Sequence, residues 1–431
     1  MNRIPIFLLL AALITIPTPS QAQFVVDDQG NILPSGLGVS IDPKGLLKAR
    51  VTKQSIKVNA LRRNALRQKG EGDLVYISLP RLFAQVRQLT EAGKQIPDDL
   101  LYLKGMVKLR YIFVYPEEKD LVIAGTAEPL DTSNPIQPFG KKTGRPVLQL
   151  EDMIVMMRIV ASRARSFGCS IDHSPGAQER FTQAMNDGFK RKLSRPAMTK
   201  KLAEALGPQP IRFWGVEPSS RVALVCLTAD YRMKRLFMGV DPTPVQELKH
   251  QFSRSGQKFN RWWFVAANDP VLKTTKDGNT VELTTVPLSL NSAATATGRQ
   301  PATASAQRVA NLLIKHYAKV AAMEPAYADF WNVIDLGVLA SLIDRDGLDK
   351  RIGWNTKWVL GNTYRVRRMA IPKFVEPLAH YRNRAYAAGG VNINYAKIVE
   401  PTRRETVKEK EIKEKPKPIG EQGWFDFDEE G

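Results

Sequence analysis

Five carboxylates, Glu117, Glu118, Glu128, Asp172 and Asp230, fall outside every familiar catalytic template in this chain. Any two that met in space could serve as an acid–base pair of the glycoside-cleaving kind, where separation in space decides the mechanism and sequence spacing says nothing about it. Asp230 is expected to make a surface ion pair with charges on the Arg221 or Lys234 side, an interaction of little weight. Other chemistry is poorly supplied. The histidines stand apart at positions 173, 250, 316 and 380, and His-Glu-x-x-His, Gly-x-Ser-x-Gly and Cys-x-x-Cys are all missing. Lys141-Lys142-Thr143-Gly144-Arg145 looks like a phosphate loop without the glycine spacing or the Gly-Lys-Ser/Thr ending, so a turn is the better reading. Asp344-Arg345-Asp346-Gly347 lacks the donors of a calcium loop in register and reads as a helix end. No catalytic residue, metal site or cofactor is assigned on these grounds.

Features suited to binding are easier to find. Nine Lys/Arg and no acid lie between Asp42 and Glu71, and Lys53, Lys57, Arg62, Arg63 and Arg67 from this run are the candidates for contact with an anionic partner. Arg261-Trp262-Trp263-Phe264 alternates as a strand, with Trp262 and Phe264 on one face and Trp263 on the other. A two-sided core accounts for this pattern, and the alternative is an exposed indole beside Arg261 that stacks on a sugar ring. Trp424, Phe425 and Phe427 alternate with acids after the mixed-charge spacer 408–417. They suit a docking peptide, for a partner or for the basic body itself, against the alternative of an unstructured tail. Cys169 and Cys226 could form a disulfide in an oxidising compartment, worth about 4 kcal/mol in the chain-entropy model, or remain as two buried thiols.

The elements that would position these residues alternate along the chain. Short strands are expected at 24–26 and 38–41, then a strand at 74–77 running into a helix capped by Ser78 with Pro80 in its first turn. Strands at 109–115 and 121–124 form a hairpin. Helices are expected before residue 164, from about 174 and over 200–206, followed by a strand at 211–216. Residues 221–238 make the most regular helix, with Val222, Val225, Cys226, Ala229, Met233 and Leu236 on its buried stripe. Strands at 261–265 and 281–286 close an α+β or mixed α/β body spanning 23–290. Beyond it come a linker (291–305), a helical addition (306–348), a basic irregular segment (349–400) and a disordered charged tail (401–431).

Charge and the N-terminus narrow the setting. The chain holds 63 Lys/Arg against 43 Asp/Glu, a net +20, which favours anionic polymers, acidic proteins or a negatively charged envelope surface as partners. Met1-Asn2-Arg3, the apolar run from Ile4 to Ile16, and Ser20-Gln21-Ala22 have the layout of a cleavable secretory signal over residues 1–22. The expected location is therefore periplasmic, envelope or extracellular, with nucleic acid an improbable partner. No later segment approaches the length needed to span a bilayer.

Several of these stretches together carry a resemblance. Arg110-Tyr111-Ile112-Phe113-Val114-Tyr115-Pro116-Glu117 with Ile123-Ala124-Gly125, Thr143-Gly144-Arg145-Pro146-Val147-Leu148-Gln149-Leu150, Cys169-Ser170-Ile171-Asp172, Ala229-Asp230-Tyr231-Arg232-Met233-Lys234-Arg235 with Met238-Gly239, and Arg261-Trp262-Trp263 resemble the exported bacterial family called domain of unknown function 1598. The likeness runs from about residue 36 to 342, with an echo at Gly389-Gly390-Val391. It implies an exported protein and assigns no functional residues. The expectation is a non-catalytic protein that binds an anionic envelope polymer or acidic protein. The alternative is a hydrolase of a glycan or other envelope substrate that uses an unrecognised carboxylate pair.

Overall fold

The computed structural model describes residues 25–51, 53–65, 73–164, 166–243, 245–248, 259–294, 300–379, 386–412, 414, 419 and 423–427. The expected secretory signal lies outside them.

Two mixed sheets enclose a layer of helices. The first has eight strands in the order Val39–Ile41, Leu46–Ala49, Phe374–Val375, Gln209–Trp214, Phe167–Ile171, Tyr386–Ile393, Phe259–Ala266 and Leu288–Ala293. The second has seven, in the order Arg404–Val407, Leu272–Thr275, Thr280–Leu283, Met106–Tyr115, Asp120–Ala127, Leu74–Ser78 and Phe425–Phe427. The helix Arg221–Phe237 packs on the first sheet, against Phe167–Ile171 and Tyr386–Ile393. The helix Pro325–Arg345 packs on that helix, on Leu150–Ala161 and on strand Met106–Tyr115 of the second sheet. A mixed α/β fold is thus observed, with one contiguous core running through both sheets.

Local sequence accounts for much of this. Ser78 caps the helix Leu79–Glu91 by accepting from the Arg81 N–H at 3.4 Å, and Leu79, Leu82, Phe83 and Val86 form the buried face. The 106–115 and 120–127 hairpin forms with Tyr115 paired to Asp120. Its strands are apolar on both faces. Leu109, Ile112, Leu121 and Ile123 enter the main core, whereas Tyr111, Phe113, Val122 and Ala124 point the other way into a second cluster. A strand apolar on both sides requires cover on both sides.

That second cover comes from the tail, where disorder was expected. Val407, Ile412 and Ile419 lie over Tyr76, Tyr111 and Phe113. Arg404–Val407 pairs in parallel with Leu272–Thr275 at one edge of the seven-stranded sheet, and Phe425–Phe427 pairs antiparallel with Leu74–Ser78 at the other. Arg404–Val407 and Phe425–Phe427, with Ile412 and Ile419 between them, therefore form a strap across the outer face that closes both edges. Apolar residues spaced through a charged stretch are enough to fold it once the sheet offers a surface.

Three further expectations are corrected. The 306–348 region is helical, and Pro325–Arg345 within it is buried along nearly its whole length at the centre of the molecule. It is also the one helix among the described residues long and apolar enough to cross a membrane, contrary to the expectation that no later segment approaches that length. Its apolar window is wholly buried inside the fold. The 349–400 region, read as irregular, supplies the interior strand Tyr386–Ile393 between Phe167–Ile171 and Phe259–Ala266. Its Ala-Ala-Gly-Gly run has low strand propensity, and the neighbouring strands override it. The 291–305 linker is not a plain spacer, since strand Leu288–Ala293 runs into it and helix Ala304–Lys315 begins within it.

Cys169 and Cys226 are free and fully buried, which sets aside the disulfide. Burial pushes both thiols well above their ordinary value, so neither offers a thiolate at neutral pH. In native protein neither cysteine should react with iodoacetamide, and after denaturation without reductant both should. Alkylation that required reductant would contradict this arrangement.

Candidate functional site

The helix Arg221–Phe237 organises the polar interior. At its start the Arg221 guanidinium, 6% exposed, donates to Asp152, to Asp329 Oδ2 at 2.5 Å and, through Nε, to the Ile136 carbonyl at 2.8 Å. Gln137 Nε2 adds a 2.9 Å bond to Asp329. Asp152 and Asp329 belong to Leu150–Ala161 and Pro325–Arg345, so one cation joins three helices. Burial pushes Asp152 up to about 7 against the opposing charge of Arg221. A small recess beside this triad is lined by Gln149, Glu151, Arg221, Arg367 and apolar neighbours, with room for about one water molecule. Its size suits structural hydration better than a substrate.

About two and a half turns along the same helix, Asp230 and Lys234 are buried one helical turn apart, at 0% and 1% exposure. This corrects the expected surface pairing. A Cβ on Gly389 would lie 2.1 Å from Asp230 Oδ1, so only glycine lets the interior strand pass over the carboxyl group. Burial raises Asp230 to about 8 despite the nearby charges of Lys234 and Arg261, and lowers Lys234 to about 7 despite Asp230, Glu376 and Asp172. Lys234 Nζ donates to Gln209 Oε1, and Gln209 Nε2 lies 3.0 Å from His173 Nδ1. Burial, reinforced by Lys234, pushes His173 down to about 3, leaving a neutral imidazole.

On the far side of the eight-stranded sheet sits Asp172, whose Oδ2 accepts from Ser170 at 2.7 Å and from Arg212 at 2.7 and 3.0 Å. Its Oδ1 accepts from Arg261 at 3.0 Å. Burial opposes its charge, but these bonds prevail and hold the carboxyl below its ordinary value. Asp172 and Asp230 thus lie within each other's field with acidities pushed apart, which is the pattern of an acid–base pair. Access argues against that use. Asp230 is sealed beneath Gly389, and both Asp172 oxygens are occupied.

The accessible part of this region is the sheet face pointing away from the helices. Strand alternation places Trp262 inside, stacked on Phe237 at 4.6 Å, and turns Trp263 outward. The register sets Arg212, Ser170, Gly390, Trp263 and Asn291 across this face, with Trp214, Gly168, Asn392 and Ser289 in the adjacent row. Arg212, Asn291 and Asn392 are exposed, and Trp214 and Trp263 are half-buried. A Cβ on Gly168 would stand 1.7 Å from the Val391 carbonyl oxygen and 3.1 Å from the Trp214 ring, so the floor beside that indole stays flat. From the same region a helical hairpin, Ala177–Lys190 and Arg195–Leu206, projects on its own small core of Phe181, Ala184, Met198 and Leu202. Its tip exposes Lys190, Arg191, Lys192 and Arg195 beside Phe189, which is 41% exposed.

The residues singled out from the sequence are dispersed. Arg62 is buried and bonds the Gly144 carbonyl at 2.9 Å, so it braces a loop, whereas Arg63 is exposed. Lys53 and Lys57 fall on the helix Lys53–Ala65 with side chains outside the described residues, as is Arg67. Trp424 is 9% exposed and Phe425 half-buried against the body, and Phe427 pairs with Val75. Glu117 and Glu118 occupy the exposed hairpin turn. Glu128 fills the loop that looks like a phosphate site. It accepts from the Lys142 and Thr143 N–H groups at 2.9 and 2.8 Å, so the chain's own carboxylate stands where an anion would. Among the described residues no group of three or more His, Cys, Asp or Glu could hold a metal ion. Sequence reasoning passed over Arg212, Trp214 and Gln209, and it placed Lys234 at the surface. The alternation of Ile211-Arg212-Phe213-Trp214 was the signal for the outward pair.

The buried pair predicts a pH dependence. Asp230, raised from its ordinary 3.8 to about 8, contributes stability that is full below about pH 3.8 and is lost as pH rises through 8. Lys234, depressed from 10.5 to about 7, acts in the opposite sense, its contribution being lost as pH falls through 7. The melting temperature of the unsubstituted protein minus that of Asp230→Asn should therefore fall between pH 4 and 8. A difference independent of pH would mean that Asp230 is ordinary in acidity.

No curated protein and no solved structure matches the chain. Residues 169–250, which carry Asp172, His173, the basic hairpin, Gln209, Arg212, Trp214, Asp230 and Lys234, match the model of the family described as protein of unknown function (DUF1598).

Proposed function

We propose that this is an exported, non-catalytic binding protein whose open sheet face receives an anionic glycan of the cell envelope. The supporting observation is the pairing of two half-buried indoles, Trp214 and Trp263, with exposed Arg212, Asn291 and Asn392 on one flat, glycine-floored surface. Indole faces stack on the apolar side of sugar rings, amides bond hydroxyls, and a guanidinium pairs with an acidic substituent. The two indoles sit on strands three positions apart, about 14 Å at ordinary strand spacing, which suits an oligosaccharide better than a single sugar. The net charge of +20 and the unpaired basic tip of the 177–206 hairpin would draw such a polymer in. None of Lys190, Arg191, Lys192 and Arg195 has an acidic partner among the described residues, and no acid occurs between Asp187 and Glu204. The secretory layout of residues 1–22 supports an envelope location.

The hydrolase reading now rests on Asp172 and Asp230. The sealed position of Asp230 and the occupied oxygens of Asp172 make binding the better account. In titrations with an acidic oligosaccharide, Trp214→Ala and Trp263→Ala should each weaken binding about tenfold, in line with about 1–3 kcal/mol for a stacking contact. Arg212→Ala should reduce the salt dependence. Equal affinity for a neutral oligosaccharide, or unaltered binding by the double tryptophan variant, would reject the reading.

A further inference from the structure

The C-terminal strap ends in a contact with the features of peptide recognition. Phe425, Asp426 and Phe427 pair antiparallel with Ile77, Tyr76 and Val75, and the Ser78 N–H donates to the Trp424 carbonyl at 2.9 Å. The Trp424 indole is sunk into the edge of the main core. Lys104 Nζ lies 4.0 Å from the centre of the Phe425 ring. Arg81, 3.4 Å from buried Asp120, donates to the carbonyls of Gly423 and Ile419 at 3.2 and 3.5 Å. The edge thus reads main-chain groups through a strand and an arginine, one large aromatic through a pocket and a second through a cation. This is strand addition with side-chain selection.

We propose that the Leu74–Ser78 edge, with Arg81 and Lys104, is a binding site for an extended peptide of alternating aromatic and acidic residues. Its resident ligand is residues 423–427, and the same segment of a second copy of this chain can replace it. The resident strand is only three residues long, and its main-chain groups are ones that any extended segment offers. Ten residues separate Ile412 from Gly423, a reach of up to about 38 Å when extended, enough to place the segment on a neighbouring molecule once Ile419 also leaves its cluster. Asp426, Asp428, Glu429 and Glu430 give the segment a negative charge opposite to that of the chain as a whole. Exchange of an identical strand between copies is a low-cost route to association. The proposal is independent of the glycan reading.

The test uses the full chain and a fluorescent peptide of residues 419–431. The resident segment competes at an effective concentration on the order of mM, so the unaltered protein should bind the peptide weakly. Trp424→Ala should bind it at least tenfold more tightly, and adding Arg81→Ala and Lys104→Ala to that variant should abolish the gain. Asp426→Pro, which removes a strand N–H and leaves the core side chains in place, provides the same release if Trp424→Ala fails to fold. A peptide lacking its own tryptophan should not bind. Equal affinity of the unaltered and released proteins, or no binding to either released protein, would overturn the proposal.

Discussion

A single buried cation sets the arrangement of the helical layer. Arg221 draws Asp152 and Asp329 from two other helices to one point, and its third bond reaches the 136 carbonyl of the loop that crosses them. Each carboxylate would be costly in this interior without the guanidinium, and the guanidinium would be equally costly without them. The triad therefore contributes less to net stability than to uniqueness, because any slip of one helix leaves a charge unpaired. Both sheets pack on the layer so fixed, and the Asp230–Lys234 pair takes its position from the same helix.

Much of the scaffold was legible in the sequence. Ser78 with Pro80 marked a helix start, the 106–127 hairpin announced itself by two apolar runs around a charged turn, and the spacing of Val222, Cys226, Ala229 and Met233 marked a buried helix. The misreadings share a cause. Gly389 and Gly390 speak against a strand locally, yet Gly389 is required where the chain passes over Asp230, and Gly390 keeps the outer surface flat. Residues 404–427 look too charged to fold, but Val407, Ile412, Ile419 and Trp424 find a prepared apolar surface. Asp230 and Lys234 look like a solvated pair because helical spacing cannot reveal that all sides of the helix are covered. In each case tertiary context decided, and it is invisible to local pattern.

The two sheets differ in how their outer faces end. The seven-stranded sheet has aromatic and aliphatic residues there and is covered by the strap. The eight-stranded sheet has arginine, asparagine, glycine and two indoles there and is open among the described residues. This contrast, more than the charge of the chain, separates the surface that completes the fold from the surface free to meet a ligand. Of the basic run first singled out, Arg62 serves the fold and Arg63 is exposed, and the 190–195 tip adds a second group of accessible charges.

The strap also imposes an order in time. Every strand it touches precedes it in the chain, so a molecule growing from its N-terminus would hold the seven-stranded sheet with two bare edges and one oily face until the strap arrives. Bare edges and apolar surface are what chaperones and proteases respond to. Arrival of the strap removes both in one step, so the segment that finishes the sheet also ends the exposure of its edges to such partners.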